Sequence, residues 1–195
     1  MEIFQKDMRE FTYDRFAPNT HTEFTRRIPS LPKKQMARDA RIAKAICLAY
    51  DLHNDIERVK ELFFKNAKLL SNPRYWELMR TVWVVAGSTN NAHEFIPYMK
   101  SCRPCKGWFM TPEDADALNK MSFPLTVWRA YDSEPDPGIS WSTNKEWVEN
   151  YAKAKGRKIK SRQVERNQIF AYISRRLESE IIILPNEGEP QGSDV

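Results

Sequence analysis

The sequence predicts an α+β protein in which a mainly helical first part precedes a group of β-strands. Up to about residue 122, apolar residues recur at the three- and four-residue spacing of amphipathic helices. After Pro124 the pattern changes to short β-branched and aromatic stretches, of which 125–131 is the clearest. The chain has 195 residues, of which 41% are hydrophobic, and is long enough to bury a sizeable core. We expect one compact domain, with the helices as an appended part of it.

The helical part, residues 34–122, follows a proline-punctuated arm over 1–33 that is predicted to be irregular. Asn54 and Thr111 have side chains that cap helix N-termini, and each precedes a helical pattern. Thr111 is also followed by a proline and two acids, which favour a first helical turn. The predicted helices cover about 34–53, 55–71, 74–86, 91–100 and 112–121.

The strands are predicted between residues 123 and 185, and a helix interrupts them. That helix, about 144–155, is predicted to be capped by Thr143 and ended by Gly156. The polar tail over 186–195 is predicted to be disordered. The predicted strands cover about 125–131, 139–142, 159–164, 168–173 and 178–184.

The net charge of +5, from 31 basic and 26 acidic residues, is moderate, and its distribution is more informative than its sum. Residues 153–176 combine many lysines and arginines with a single acid, Glu165, and are predicted to form a basic hairpin. Such a patch attracts anions such as nucleotide phosphates, nucleic acid or an acidic protein. The alternative is an ordinary solvated hairpin.

The compartment is predicted from what the sequence lacks. No apolar run reaches the roughly 18 residues that a membrane helix needs, and no secretory signal is visible. Three cysteines do not complete a disulfide framework, so we expect an intracellular, cytoplasmic protein with no membrane partner. Cys102 and Cys105 have the spacing of a zinc or redox pair, but further ligands and a thioredoxin-like context are missing. No metal is therefore expected.

Arg129 is the first candidate functional residue, because it lies within an apolar strand pattern. An arginine in such a strand needs an anionic partner, and its forked guanidinium suits a phosphate or a carboxylate. The alternative is an internal salt bridge to a glutamate.

Ser140 and Ser142 form the second candidate, in the segment Gly-Ile-Ser-Trp-Ser-Thr over 138–143. Side chains two residues apart on a strand face the same side, so both hydroxyls can hold a carboxylate or a ribose. The alternative is a helix cap by Thr143 and no further role.

Glu178 and Glu180 form the third candidate, and strand alternation again predicts that both carboxylates face one side. The residues that follow, 181–184, form a continuous apolar run typical of a buried strand. Two like charges at the mouth of such a strand cost stability unless something compensates them. The alternative is a pair of salt bridges to Arg175 and Arg176.

In chain order, the arginine, the Ser-x-Ser-Thr segment and the Glu-x-Glu pair resemble the Arg-Ser-Glu class of ADP-ribosyltransferases. The resemblance covers about residues 124–184 and extends to small proteins of this type from bacteria and their viruses. It implies that the helical part packs on a compact, mainly antiparallel β-sandwich. It also implies NAD-dependent transfer of ADP-ribose to a protein side chain or a nucleic acid, with release of nicotinamide. A viral protein acting in the host cytoplasm fits the small size.

The resemblance implies catalytic roles for three of these residues. Glu180 bonds the 2′-hydroxyl of the nicotinamide ribose, and Glu178 orients or deprotonates the acceptor. Arg129 holds a phosphate of NAD or the ribose next to it. The first glutamate of the pair is often associated with arginine acceptors, which favours an arginine side chain as the target.

The resemblance implies binding roles for five others. Ser140 positions the catalytic glutamate, and Ser142 supports the nicotinamide side. Tyr151 or Tyr131 stacks on the nicotinamide ring. Trp141 departs from the family pattern, because many members have threonine there, and its bulk is expected to reshape the acceptor side.

Two alternatives to transfer remain open. In an NAD glycohydrolase water is the acceptor, and loss of Glu178 is then expected to spare hydrolysis while impairing transfer. A non-enzymatic binding module instead uses the basic residues 153–176 to hold nucleic acid or an acidic protein, and its binding weakens with salt.

Overall fold

A computed structural model describes residues 31–86, 92–134, 136, 138–174 and 178–185. The predicted arm therefore lies almost wholly outside the described residues, as do the predicted tail and the side chains of Arg175 and Arg176. The chain divides into two compact units. The first contains the described residues 31–86 and 101–109, and the second contains 92–100 and those from 110 onward.

The first unit consists of helices that pack in sequence order. The long helix α1 (Lys33–His53) packs on α2 (Ile56–Asn66), which packs on α3 (Asn72–Ala86). A 3₁₀ turn, Ala67–Leu69, joins α2 to α3, and a second 3₁₀ turn, Lys106–Phe109, packs on α3. These helices form because their apolar residues recur on one face, which packing removes from water.

A buried carboxylate ties α1 to the start of α3. Asp39 is 3% exposed and accepts hydrogen bonds from the Ser71 hydroxyl at 2.6 Å and from its amide at 3.1 Å. The ring of Phe63 lies 5.6 Å from that of Tyr75, which meets Trp76 edge-on at 5.0 Å. Aromatic rings therefore contribute to the core of this unit, and hydrogen bonds satisfy the Asp39 carboxylate beside it.

The second unit begins with short helices. A 3₁₀ turn, Ala92–Phe95, leads into α4 (Ile96–Met99), and α5 (Pro112–Asn119) follows. The predicted cap of α5 is confirmed: Thr111 accepts a hydrogen bond from the Asp114 amide, and Asp114 completes the capping box. The Asp114 carboxylate also accepts from the amide and hydroxyl of Ser174, which fixes α5 to the end of a strand.

Five antiparallel strands form one sheet in the second unit: β1 (Leu125–Tyr131), β2 (Ser140–Ser142), β3 (Lys158–Val164), β4 (Ala171–Ile173) and β5 (Glu180–Ile182). Their order across the sheet is β3-β1-β2-β5-β4. The helix α6 (Lys145–Lys155) connects β2 to β3 and packs on β1 and β3. The predicted α+β class is confirmed. The described part of the chain contains this one sheet.

One face of the sheet carries the hydrophobic core of the second unit. Val127, Trp141, Tyr172 and Ile181 project from four different strands into one buried cluster, and Leu118 of α5 packs against them. The other face carries the side chains that alternate with these, among them Ser140, Ser142 and Glu180, by the strict alternation of strand side chains.

Two predicted caps are wrong by one residue. Asn54 ends α1 in the left-handed conformation, with φ 48°, and Asp55 caps α2 by accepting from the Arg58 amide at 2.9 Å. Asn144, rather than Thr143, caps α6 by accepting from the Trp147 amide at 3.0 Å. In both places two neighbouring residues have capping side chains, and backbone conformation decides between them.

The predicted basic hairpin is also wrong. Residues 153–155 belong to α6, and β3 and β4 lie at opposite edges of the sheet. A 3₁₀ turn, Arg166–Gln168, separates those strands, so β4 begins at Ala171 rather than at 168. The third helix in turn begins two residues earlier than predicted, at Asn72, because Pro73 is tolerated in a first turn.

Among the described residues, no helix has both the length and the apolar character that a membrane crossing requires.

Candidate functional site

The contact between Ser140 and Glu180 is the centre of the candidate site. The hydroxyl of Ser140 lies 2.5 Å from Oε1 of Glu180 and donates to it, although 40 residues separate the two in sequence. Ser142 pairs with Glu180 in the β2–β5 register, so Ser140 reaches the carboxylate from the diagonal position. Glu180 is 7% exposed. A carboxylate withdrawn this far from water needs such a donor, which also fixes its orientation.

Ser142 holds the turn before β5. Its hydroxyl donates to the carbonyl of Glu178 and accepts from the amide of Asn144 at 3.0 Å. The amide of Thr143 donates to the carbonyl of Ser179 at 3.1 Å. Ser142 and its neighbour therefore fix the backbone that leads into Glu180, rather than contacting the carboxylate themselves.

Glu178 does not share a strand face with Glu180 as predicted. It lies in a turn before β5, and Ser179 between the two has φ 47°. The left-handed conformation of Ser179 breaks the alternation on which the prediction rested. Glu178 is half-buried and lies in the turn, whereas Glu180, two residues later, is buried in β5.

Arg129 projects from the opposite face of the sheet to Glu180. Trp128 pairs with Ser142, whereas Arg129, the next residue along β1, pairs with Lys160 of β3. Because side chains alternate along a strand, Arg129 projects from the face that carries Trp141, and Glu180 projects from the other face. The structure brings the Ser140 hydroxyl and the Glu180 carboxylate together, whereas the Arg129 side chain reaches the backbone of Ser140 from the opposite face.

The guanidinium of Arg129 is held by an aspartate. Nε lies 2.6 Å from Oδ2 of Asp136, Nη2 lies 3.2 Å from Oδ1, and Nη1 donates to the Ser140 carbonyl at 2.6 Å. The predicted alternative of an internal salt bridge is thus confirmed in kind, but the partner is an aspartate and not a glutamate. This fork is the geometry that arginine and carboxylate favour.

The surroundings of Asp136 favour its ionised form. Burial by itself would raise the pKa of Asp136, but the hydrogen bond and charge of Arg129 outweigh it, helped by the Gly138 amide and by Lys160. The pKa of this carboxyl is therefore held below its ordinary value. Lys160 lies 3.2 Å from Asp136 and 3.0 Å from Glu134, so the loop after β1 binds a second cation.

Gly138 is required by the position of Arg129. A Cβ on Gly138 would lie 1.7 Å from Nη2 and 1.9 Å from the central carbon of the guanidinium. The amide of Gly138 donates to Oδ1 of Asp136 at 3.0 Å. Only glycine lets the backbone approach the ion pair this closely.

The aromatic candidates Tyr131 and Trp141 lie under cations. The ammonium of Lys160 lies 4.8 Å from the centre of the Tyr131 ring, and the guanidinium of Arg162 lies 4.6 Å from that of Trp141. Both rings project from the same face as Arg129, and Trp141 is buried in the core cluster. The bulk of Trp141 therefore fills the hydrophobic core rather than the face that carries Glu180.

The ring of Tyr151 contacts another aromatic ring and a guanidinium. Its ring stacks on Trp147 with centroids 5.3 Å apart, and the guanidinium of Arg157 lies 5.7 Å from its centre. Arg157 also forms a two-point ion pair with Asp132, at 2.9 and 2.8 Å. The stacking on Trp147 occupies one face of the Tyr151 ring, so nicotinamide can stack only on the other face or after displacement of Trp147.

Sequence reasoning missed Asp136, Gly138 and Lys160. A signal for Asp136 was present, since the loop after Arg129 places acids at alternate positions, 132, 134 and 136. In the sequence Lys160 is one member of a basic run, and its partners depend on the pairing of β1 with β3.

The cysteines form no described metal centre. Cys102 is exposed, Cys105 is half-buried and Cys47 is buried, and all are free thiols. In the described ranges, no group of His, Cys, Asp and Glu side chains is arranged to hold a metal ion.

Comparison of the chain with protein-family models, curated proteins and solved structures found no match.

Proposed function

We propose that the chain transfers ADP-ribose from NAD to a macromolecular acceptor and releases nicotinamide. The observation that carries the proposal is the Ser140–Glu180 contact, because it is the pairing that the resemblance to ADP-ribosyltransferases requires. The proposal includes an ADP-ribosyltransferase-type β-sandwich, of which the described sheet is one layer.

The chemistry suits a carboxylate held in place by a hydroxyl. In transfer, the bond between ribose C1′ and the nicotinamide nitrogen breaks, and its electron pair leaves with nicotinamide. A bond forms from C1′ to the acceptor, which loses a proton. The ribose gains oxocarbenium character between these steps, and an oriented carboxylate stabilises that charge better than mobile water does.

The residues present fit the ribose end of NAD. Glu180 presents a hydrogen-bond acceptor of fixed orientation, which suits the 2′-hydroxyl of the nicotinamide ribose. Ser140 restricts the rotation of Glu180, so little reorganisation is needed as charge develops. Glu178, to which the proposal gives the acceptor, lies two residues before Glu180. The Ser142 hydroxyl fixes its turn by donating to the Glu178 carbonyl.

Incubation of the purified chain with labelled NAD and a bacterial lysate tests this function. We expect label on protein or nucleic acid with wild type and a loss of about 100- to 1000-fold in rate with Glu180→Gln. Glu149→Gln is the matched control, because Glu149 is 50% exposed on α6 and forms an exposed ion pair with Lys145 at 3.3 Å. It should label as wild type does.

Other outcomes assign the chain to the alternatives. Free ADP-ribose without labelled acceptor indicates a glycohydrolase. Absence of both NAD consumption and NAD binding contradicts the proposal. Salt-sensitive nucleic-acid binding that survives Glu180→Gln would then favour the binding module, which draws on exposed cations of the edge strand β3 such as Lys158.

A further inference from the structure

The Arg129 guanidinium joins two parts of the chain that the candidate site needs to keep together. Two of its nitrogens bind Asp136 in the loop after β1, and the third donates to the carbonyl of Ser140, the first residue of β2. Its hydrogen-bonding fork is therefore used within the protein, on the face away from Glu180.

The loop is shaped around this ion pair. Asp136 accepts from the Gly138 amide, and the missing side chain of Gly138 leaves the space that the guanidinium occupies. The side chain of Asp136 is 9% exposed, and Lys160 contacts the same carboxylate. An ion pair with these added hydrogen bonds holds one geometry better than an exposed pair does.

The same residue, Ser140, carries both the held carbonyl and the hydroxyl that meets Glu180. Its backbone is bound by Arg129 at 2.6 Å, and its side chain donates to Glu180 at 2.5 Å. The amide of Ile183 donates to the carbonyl of Ile139 at 2.9 Å, and this hydrogen bond joins the start of β2 to the end of β5. A shift at the Arg129–Asp136 pair therefore moves the hydroxyl that orients the carboxylate.

We propose that the Arg129–Asp136 pair positions Ser140 for its hydrogen bond to Glu180, and that Asp136 is a positioning residue of the transferase site. This inference rests on the proposed function. It assigns Arg129 to the support of β2 instead of to a phosphate of NAD, and it explains why Gly138 is needed beside the serine segment.

The test compares Asp136→Asn and Gly138→Ala with Asp132→Asn. The control breaks a two-point Arg–Asp ion pair on the same loop, but Asp132 is 67% exposed and its partner, Arg157, follows α6. We expect kcat for nicotinamide release to fall by up to about 100-fold in the first two variants, with KM for NAD little changed. Asp132→Asn should leave both constants as in wild type.

The split between kcat and KM separates this role from phosphate binding. If Asp136 merely occupied an arginine meant for NAD, its removal would free the guanidinium and lower KM. A lower KM, or an unchanged kcat, for folded Asp136→Asn overturns the positioning role. The double variant Asp136→Asn, Gly138→Ala should lose no more than the worse single variant, because both break one pair.

Hydrogen exchange gives a readout that does not need activity. Amides of residues 139–142 should exchange faster in Asp136→Asn than in wild type or Asp132→Asn, while those of β4 keep their protection. Unchanged exchange over 139–142 contradicts the positioning role even if NAD is turned over. Conversely, faster exchange in a chain that never consumes NAD contradicts the proposed function and not the structural link.

Discussion

At the scale of the residue, the sheet carries the buried carboxylate of Glu180 on one face and the Arg129–Asp136 ion pair on the other. Glu180 is oriented by the hydroxyl of Ser140, and Arg129 is neutralised by Asp136. Each charge has a donor or a counter-ion, so neither is merely a cost to stability. The resemblance to ADP-ribosyltransferases predicted the first contact, whereas the partner of Arg129 had to be found in the structure.

The Asp136 carboxyl is expected to make stability depend on pH. Its pKa is lowered in the folded chain, chiefly because the hydrogen bond and charge of Arg129 outweigh the opposing effect of burial. A group with a lowered folded pKa contributes stability above its unfolded pKa, about 3.9 for aspartate, and loses it as pH falls through the folded pKa. Asp136→Asn removes the charge that balances the Arg129 guanidinium, and we expect it to lower the unfolding free energy at pH 7 by about 2 kcal/mol.

Urea unfolding at several pH values checks this expectation. The difference in unfolding free energy between wild type and Asp136→Asn should narrow below about pH 3.9. Asp132→Asn, which breaks an exposed pair, should differ from wild type by at most about 1 kcal/mol at neutral pH. A gap for Asp136→Asn that stays constant into acid would contradict the pKa assignment.

At the scale of the element, local sequence signals predicted where helices and strands occur. They did not predict which strands pair with each other. The strand over 125–131 and the cap at Thr111 follow from neighbouring residues, and both are as predicted. Adjacent residues of similar chemistry, such as Asn54 and Asp55, could not be ranked as caps from sequence. The predicted hairpin failed because which strands become neighbours depends on the whole sheet.

The helix α6, which follows the serine segment, offers a test of its cap. Asn144 accepts from the Trp147 amide, and its loss leaves an amide of the first turn without this acceptor. We expect Asn144→Ala to lower the unfolding free energy by about 1 kcal/mol. Asn150→Ala is the matched control, because Asn150 is exposed within the helix and alanine favours helix there. Equal effects of the two substitutions in urea unfolding would contradict the assignment of the cap.

At the scale of the whole molecule, the sheet order creates the candidate site. Strand β5 comes last in the described chain, yet lies beside β2, and this long-range neighbourhood places Glu180 against Ser140. Composition and periodicity could predict the α+β class, because both are local properties. They could not predict that β1 turns Arg129 away from Glu180, since that depends on the register of Trp128 with Ser142.

The most direct measurement is nicotinamide release from NAD by wild type, Ser140→Ala, Glu180→Gln and the double variant. If Ser140 acts through Glu180, the single variants should each lose rate, with about 100- to 1000-fold for Glu180→Gln, and the double variant should be no slower than Glu180→Gln alone. Release that is unchanged in folded Glu180→Gln, or losses that multiply in the double variant, would contradict the account of this contact as the catalytic centre.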